Sequence, residues 1–191
     1  MEHDFSIRKL TVDEIRQLYT ERLTEDFPPD ELKPLAVILR FLSEERYGCY
    51  GAVNGGRILA YAFLVRLGSN ALFDYFAVKK DLRAKGIGSR FLRRMIAGPL
   101  REYGHVLLEV DDPDLAADEA EHSVRIRRLS FYLRNGLMDT SVRATVWHVG
   151  YRILALPLGS IPGPDETKQI YSSLYRSMMT KTVYDKMVSI D

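Results

Sequence analysis

The chain has 191 residues, of which 46% are apolar and 28% charged, with a formal net charge of +1 and a single cysteine, Cys49. This length buries a core without metal or disulfide staples, and near-neutral charge gives no basis for nucleic acid or an anionic membrane as a bulk partner. One cysteine excludes an intramolecular disulfide and suits a reducing compartment. The start, Met1-Glu2-His3-Asp4, is acidic and lacks the apolar stretch of a secretory signal. Even the run Leu35-Ala36-Val37-Ile38-Leu39 is ended by Arg40, far short of a membrane span. A free cytoplasmic protein is expected.

Two helices come first. Thr11 stands three residues before Glu14, the spacing of a capping box, and leads into Ile15 and Leu18. Phe27-Pro28-Pro29-Asp30 interrupts, and Asp30 is read as the start of a second helix with Leu35, Ile38, Leu39 and Leu42 on one face. Tyr47 to Val53, Arg57 to Leu67 and Ala71 to Val78 are then rich in aromatic and aliphatic residues. Asn54-Gly55-Gly56 and Gly68-Ser69-Asn70 separate them as turn signals, which predicts three antiparallel strands.

A polar bridge, Lys79 to Arg83, precedes Ala84-Lys85-Gly86-Ile87-Gly88-Ser89. A helix follows with Phe91, Leu92, Met95 and Ile96 as its buried face, breaking near Gly98-Pro99. His105 to Val110 is a short, nearly all-apolar strand, as expected of a central one. The acidic segment Asp111 to Glu121 leads to a helix over about Val124 to Arg134, closed by Asn135-Gly136. Two β-rich stretches, Arg143 to Val149 and Tyr151 to Leu156, are followed by a proline-rich loop (Pro157, Pro162, Pro164). One last helix is expected from about Asp165 to Val188, with Ile170, Leu174 and Met178 at helical spacing.

The chemistry is concentrated at Gly86-Ile87-Gly88. Glycines at a helix entry let a phosphate approach the backbone, and the free amides and helix dipole favour the anion. A P-loop requires a glycine followed by Lys-Ser/Thr, which Gly88-Ser89-Arg90 does not supply. A dinucleotide fingerprint requires a third small residue where Phe91 stands, although Glu109 lies at roughly the spacing of a ribose-binding acid. A plain helix entry with two turn glycines is the bland alternative.

Arg83-Ala84-Lys85-Gly86-Ile87-Gly88 resembles the Arg/Gln-x-x-Gly-x-Gly/Ala pyrophosphate loop of the GNAT superfamily of N-acetyltransferases. It follows the strand Leu72 to Val78 and precedes an amphipathic helix, as in that family. Leu107-Leu108-Glu109-Val110 resembles the family's fifth strand, and Phe131-Tyr132-Leu133-Arg134-Asn135-Gly136-Leu137 its aromatic-Tyr-x-x-x-Gly-Phe signature, with Leu137 in place of phenylalanine. The resemblance is specific over about Ala71 to Leu137. Residues 1–191 are read as one acetyltransferase domain, with 158–191 a C-terminal helical extension outside the minimal fold.

The resemblance implies an α/β (α+β) fold: a mixed, mostly antiparallel sheet, flanked by helices, in which parallel strands four and five splay apart to admit acetyl-CoA. Lys85, Gly86, Ile87, Gly88 and Ser89 would hold the pyrophosphate through their amides, with Arg83 beginning the loop. The backbone of Phe76, Ala77 and Val78 would pair with the pantetheine arm. An acceptor amine, on a small molecule or a peptide, would attack the thioester directly, so Cys49 is read as a buried inert thiol. Tyr132 corresponds to the tyrosine beside the CoA sulfur. Glu109 is the leading general base and Asp74 the second, each also readable as a solvated or arginine-paired carboxylate. The Arg125-Ile126-Arg127-Arg128 run is either a solvated helix face or a contact for the 3′-phosphate. Four histidines without ligand spacing give no support to a metal. A homodimer is left open, and a non-catalytic acyl-CoA-binding module is the alternative function.

Overall fold

The computed structural model describes residues 4–29 and 31–191. Its elements are β1 (Ser6–Lys9), α1 (Val12–Leu18), a π-helical turn (Tyr19–Leu23), α2 (Thr24–Asp26), α3 (Leu35–Ser43), β2 (Tyr47–Asn54), β3 (Arg57–Leu67), β4 (Asn70–Val78), α4 (Ile87–Ala97), β5 (His105–Asp111), α5 (Glu119–Arg134), β6 (Met138–Val146), β7 (Val149–Ala155), α6 (Pro164–Met178), α7 (Lys181–Met187) and β8 (Val188–Ile190). The strands form one mixed sheet in the order β1-β2-β3-β4-β5-β7-β6-β8. The chain divides into two compact units, Met1–Arg66 with Asp74–Met95, and Leu67–Phe73 with Ile96–Asp191.

In the first unit the capping box forms as expected: Thr11 accepts from the Glu14 amide and Glu14 returns the bond to the Thr11 amide. Ile15, Leu18 and Leu23 are buried on the inner face. The expected helix start at Asp30 lies outside the described residues, and the helix itself begins only at Leu35. Pro34 accounts for that start. It disfavours helical backbone at the residue before it, and its own fixed φ suits a helix entry. β1 pairs antiparallel with β2, and β2 with β3. β1 was not expected, because Ser6-Ile7-Arg8-Lys9 is an exposed edge with no apolar alternation. Leu59 to Val65 of β3 is buried on both sides, the pattern of a central strand.

In the second unit β5 is central, pairing in parallel with the first residues of β4 and antiparallel with β7. The parallel ladder takes in Asn70–Phe73 and His105–Leu108 only, although each strand runs on beyond it. Three boundaries differ from expectation. α5 starts at Glu119, inside the acidic segment, because Asp118 caps it and Glu119 and Glu121 suit the positive end of its dipole. The β6–β7 hairpin turns at Trp147-His148, both with positive φ (49° and 72°), rather than beside Gly150. The single C-terminal helix is in fact α6 and α7, separated where the Thr180 side chain caps Val183, and followed by β8 on the edge of β6.

Candidate active site

Within the first unit, β4 ends at Val78, a 3-10 turn (Lys80–Leu82) follows, and Arg83-Ala84-Lys85-Gly86 leads directly into α4. Ala84 and Gly86 both lie in the left-handed region, with φ of 61° and 74°. For Ala84 that conformation costs roughly 1 kcal/mol. Such backbone turns successive amides toward one side, the geometry of an anion-binding concavity. The Gly86 carbonyl accepts from the Arg90 amide at 3.1 Å, closing the first turn of α4. The amides of Ile87, Gly88 and Ser89 therefore fall in the turn that has no intrahelical acceptor, and no acidic side chain occupies it. Ile87 and Gly88 are buried there, while Lys85 and Gly86 are exposed.

Arg83 clamps this loop. Its Nε donates to the Val78 carbonyl at 3.0 Å, and its guanidinium pairs with Asp26 at 2.7 Å. The Asp26 carboxylate also accepts from the Tyr61 hydroxyl at 2.9 Å and lies 3.6 Å from Arg22. One buried carboxylate thus joins α2, β3 and the loop after β4. The Lys79 amide donates to the Leu59 carbonyl at 2.9 Å, and Phe76 stacks on Phe91 of α4 with ring centroids 5.6 Å apart. The strand that would meet a pantetheine arm is held on the β3 side and against α4. Its ladder with β5 ends at Phe73.

Asp74 is not a solvated carboxylate. Lys33 Nζ forms an ion pair with its Oδ1 and the Tyr47 hydroxyl donates to its Oδ2. Burial pushes the Tyr47 hydroxyl well above its ordinary value, and the Asp74 charge adds to this. Burial likewise raises the Cys49 thiol, again with a contribution from Asp74, so Cys49 is a neutral, inert thiol.

Within the second unit, Glu109 is held from an unexpected direction. The hydroxyls of Tyr171 and Tyr175, one turn apart on α6, both donate to its Oε1, and their rings lie 4.8 Å from each other. Tyr171 is fully buried, and burial, reinforced by the Glu109 charge, raises its phenol well above the ordinary value. The C-terminal extension is therefore bound to the leading candidate base. Two phenols thus hold a carboxylate that the sequence allowed as a base, a solvated group or an arginine partner.

Tyr132 is buried on α5, and burial pushes its phenol up to about 12, with Asp111 raising and Arg128 lowering it. The signature around it has a structural logic. The Leu137 amide donates to the Tyr132 carbonyl at 3.2 Å and the Gly136 amide to the Leu133 carbonyl at 3.0 Å, with Gly136 at φ 93°. These are the two bonds of a Schellman stop, which calls for glycine at that position and an apolar residue after it. Leu137 is buried and satisfies the latter. Asp111 pairs with Arg128, while Arg125 pairs with Glu121 and donates to the Asp112 carbonyl, so two of the three arginines bind side chains of their own chain. Among the described residues no cluster of three or more His, Cys, Asp or Glu side chains is placed to hold a metal, and no helix is long and apolar enough to cross a membrane.

Residues 12–120, more than half of the chain, match the acetyltransferase (GNAT) family model. The chain belongs to the GNAT acetyltransferase family. The match includes the loop, β4 and β5, and stops short of Tyr132. The GNAT fold is also seen in solved structures. A protein from Bacteroides thetaiotaomicron assigned to the GNAT family is 18% identical, with a TM-score of 0.66 over 90% of this chain and 96% of that one. The ribosomal-protein-S18-alanine N-acetyltransferase of Escherichia coli is 21% identical, with a TM-score of 0.58 over 82% and 96%. A GNAT acetyltransferase from Elizabethkingia anophelis with acetyl-CoA bound is 14% identical, with a TM-score of 0.53 over 81% and 98%. Among curated proteins none matches the chain. Asp26, Lys33, Tyr171 and Tyr175 were not among the candidates drawn from the sequence, since each acts on a partner far along the chain.

Proposed function

We propose that this chain is an acetyl-CoA-dependent N-acetyltransferase that works in the cytoplasm on a primary amine, carried by a small molecule or a peptide, by direct attack on the thioester. The observation that carries this reading is the loop Arg83–Gly86, with left-handed Ala84 and Gly86, opening into α4 beside a strand whose ladder with β5 ends at Phe73. Relatives of the same fold support it, one of them solved with acetyl-CoA. Residues 1–191 would act as one acetyltransferase domain with 158–191 as its extension, since the family match runs through segments of both units.

In this reading the amides from Lys85 to Ser89 hold the pyrophosphate, with Arg83 as the clamp at the start of the loop, and the backbone of Phe76 to Val78 holds the pantetheine arm as an added strand. The thioester donor supplies an activated acetyl carbon. An amide of that strand polarises the carbonyl oxygen. Tyr132, protonated at any working pH, gives the departing sulfur a hydrogen bond or a proton. Glu109, or Asp74 in its place, takes the proton of the acceptor amine. Calorimetric titration with acetyl-CoA, followed by thiol release with a panel of amines, tests both halves of the proposal.

A second reading, a non-catalytic acyl-CoA-binding module, is favoured by one observation: both carboxylates that would serve as base are engaged by side chains of the chain itself. Binding of acetyl-CoA with no thiol release beyond the uncatalysed rate for any amine would select it.

A further inference from the structure

We propose that Lys33 is a self-acetylation site: its Nζ takes the acetyl group from bound acetyl-CoA and Asp74 takes a proton from the ammonium. The inference rests on the acetyl-CoA reading above and concerns residues of the first unit only.

Lys33 is fixed on β4 at two points. Its amide donates to the Tyr75 hydroxyl at 2.8 Å, and that hydroxyl donates to the Glu31 carbonyl at 3.1 Å. Its Nζ, 5.8 Å from the centre of the Tyr75 ring, pairs with the Asp74 carboxylate, whose side chain is only 8% exposed. Asp74 is also the first residue of β4 beyond the ladder with β5, which closes at Phe73. From Val78 back to Asp74 is four strand steps, about 14 Å. An extended pantetheine arm covers that length. With the pyrophosphate on the loop after Val78 and the arm along the strand edge, the acyl end arrives beside Asp74. The chain already holds a primary amine there.

The step balances without a further reagent. The Nζ lone pair forms a bond to the thioester carbonyl carbon, the carbon–sulfur bond breaks, and sulfur leaves with the electron pair. Two protons leave the nitrogen: one passes to Asp74 and on to water, the other protonates the departing sulfur. The Asp74 carboxylate, already paired with Nζ, is the group placed to accept the first of these protons. Acetylation then deletes the charge that ties residues 31–33 to Asp74.

The test is a time course of the full chain with acetyl-CoA, read by intact mass and peptide mapping, beside a calorimetric titration. We expect one acetyl group on Lys33, added with first-order kinetics that are unchanged by dilution of the protein and at least about ten-fold faster than at the exposed Lys80 and Lys181. Asp74→Asn should slow the modification by about ten-fold or more while acetyl-CoA still binds. If that variant does not fold, the dilution series on the unaltered chain decides. Acetyl-CoA binding with Lys33 modified no faster than Lys80 and Lys181 overturns the proposal. Absence of binding in the calorimeter overturns the acetyl-CoA reading itself, and this inference with it.

Discussion

Replacing Asp26 by alanine removes the carboxylate on which the Arg83 clamp depends. The Asp26 side chain is 4% exposed, so the groups it serves are left in a largely dry site. The Tyr61 hydroxyl loses its acceptor, a loss of about 1–2 kcal/mol for a buried donor. Arg22, 14% exposed, loses its counter-charge but keeps its bond to the Ile58 carbonyl, which costs about 1 kcal/mol more. Arg83 is 51% exposed, so water takes over most of its solvation and the pair is worth no more than about 1 kcal/mol. Together these predict a destabilisation of about 3 kcal/mol, hence a melting temperature lower by about 6–12 °C for a chain of this size. The loop should also loosen, because Arg83 no longer holds the Val78 carbonyl in place. Ordering it again on binding should weaken acetyl-CoA by about ten-fold. Asp26→Asn, which keeps one acceptor oxygen, should show about half the thermal effect. Circular dichroism melts and calorimetric titration read both quantities. An alanine variant with unchanged melting temperature and affinity would refute the clamp.

Tyr132→Phe should leave folding and acetyl-CoA affinity nearly unchanged and lower turnover by roughly ten-fold to a thousand-fold. Because burial raises that phenol to about 12, its proton is in place throughout the neutral range, and the loss should be the same from about pH 6 to 9. Full turnover would remove Tyr132 from the mechanism. Glu109→Gln should slow turnover chiefly at neutral pH, with much of the rate regained in alkali where free amine is plentiful; a profile parallel to that of the unaltered chain would assign the base elsewhere. Gly86→Ala should destabilise by about 1 kcal/mol and weaken acetyl-CoA, through backbone strain alone, since no atom lies within 4 Å of the added Cβ. A melt and titration matching the unaltered chain would show that the left-handed turn is not required.

What the sequence made legible was local. Thr11 and Glu14 mark their capping box three residues apart, Asn54-Gly55-Gly56 marks its hairpin, and Gly86 with Gly88 marks the entry to α4. The same local logic misplaced the β6–β7 turn. The two stretches read from the sequence break between Val149 and Tyr151, yet Trp147 and His148 carry the positive φ angles that glycine or asparagine usually supply. The helical spacing of Ile170, Leu174 and Met178 gives no sign of the break at Thr180, where the side chain caps a second helix. The chemistry-bearing contacts were illegible for a different reason. Tyr171 and Tyr175 reach Glu109 across 62 and 66 residues, and Arg83 reaches Asp26 across 57. No periodicity encodes such pairs, because they depend on which strand edges and helix faces the fold brings together. The sequence could nominate Glu109 and Asp74 as carboxylates in useful places, but not the phenols and the lysine bound to them.

The most direct test of the central claim is a calorimetric titration of the unaltered chain with acetyl-CoA, with its thermal melt recorded over the same concentrations. The account predicts saturable binding of one acetyl-CoA per chain, and a melting temperature that keeps rising with ligand, since binding to the folded state alone adds about 2.7 kcal/mol of stability at a hundred-fold excess over Kd. No heat and no thermal shift at millimolar acetyl-CoA would contradict it.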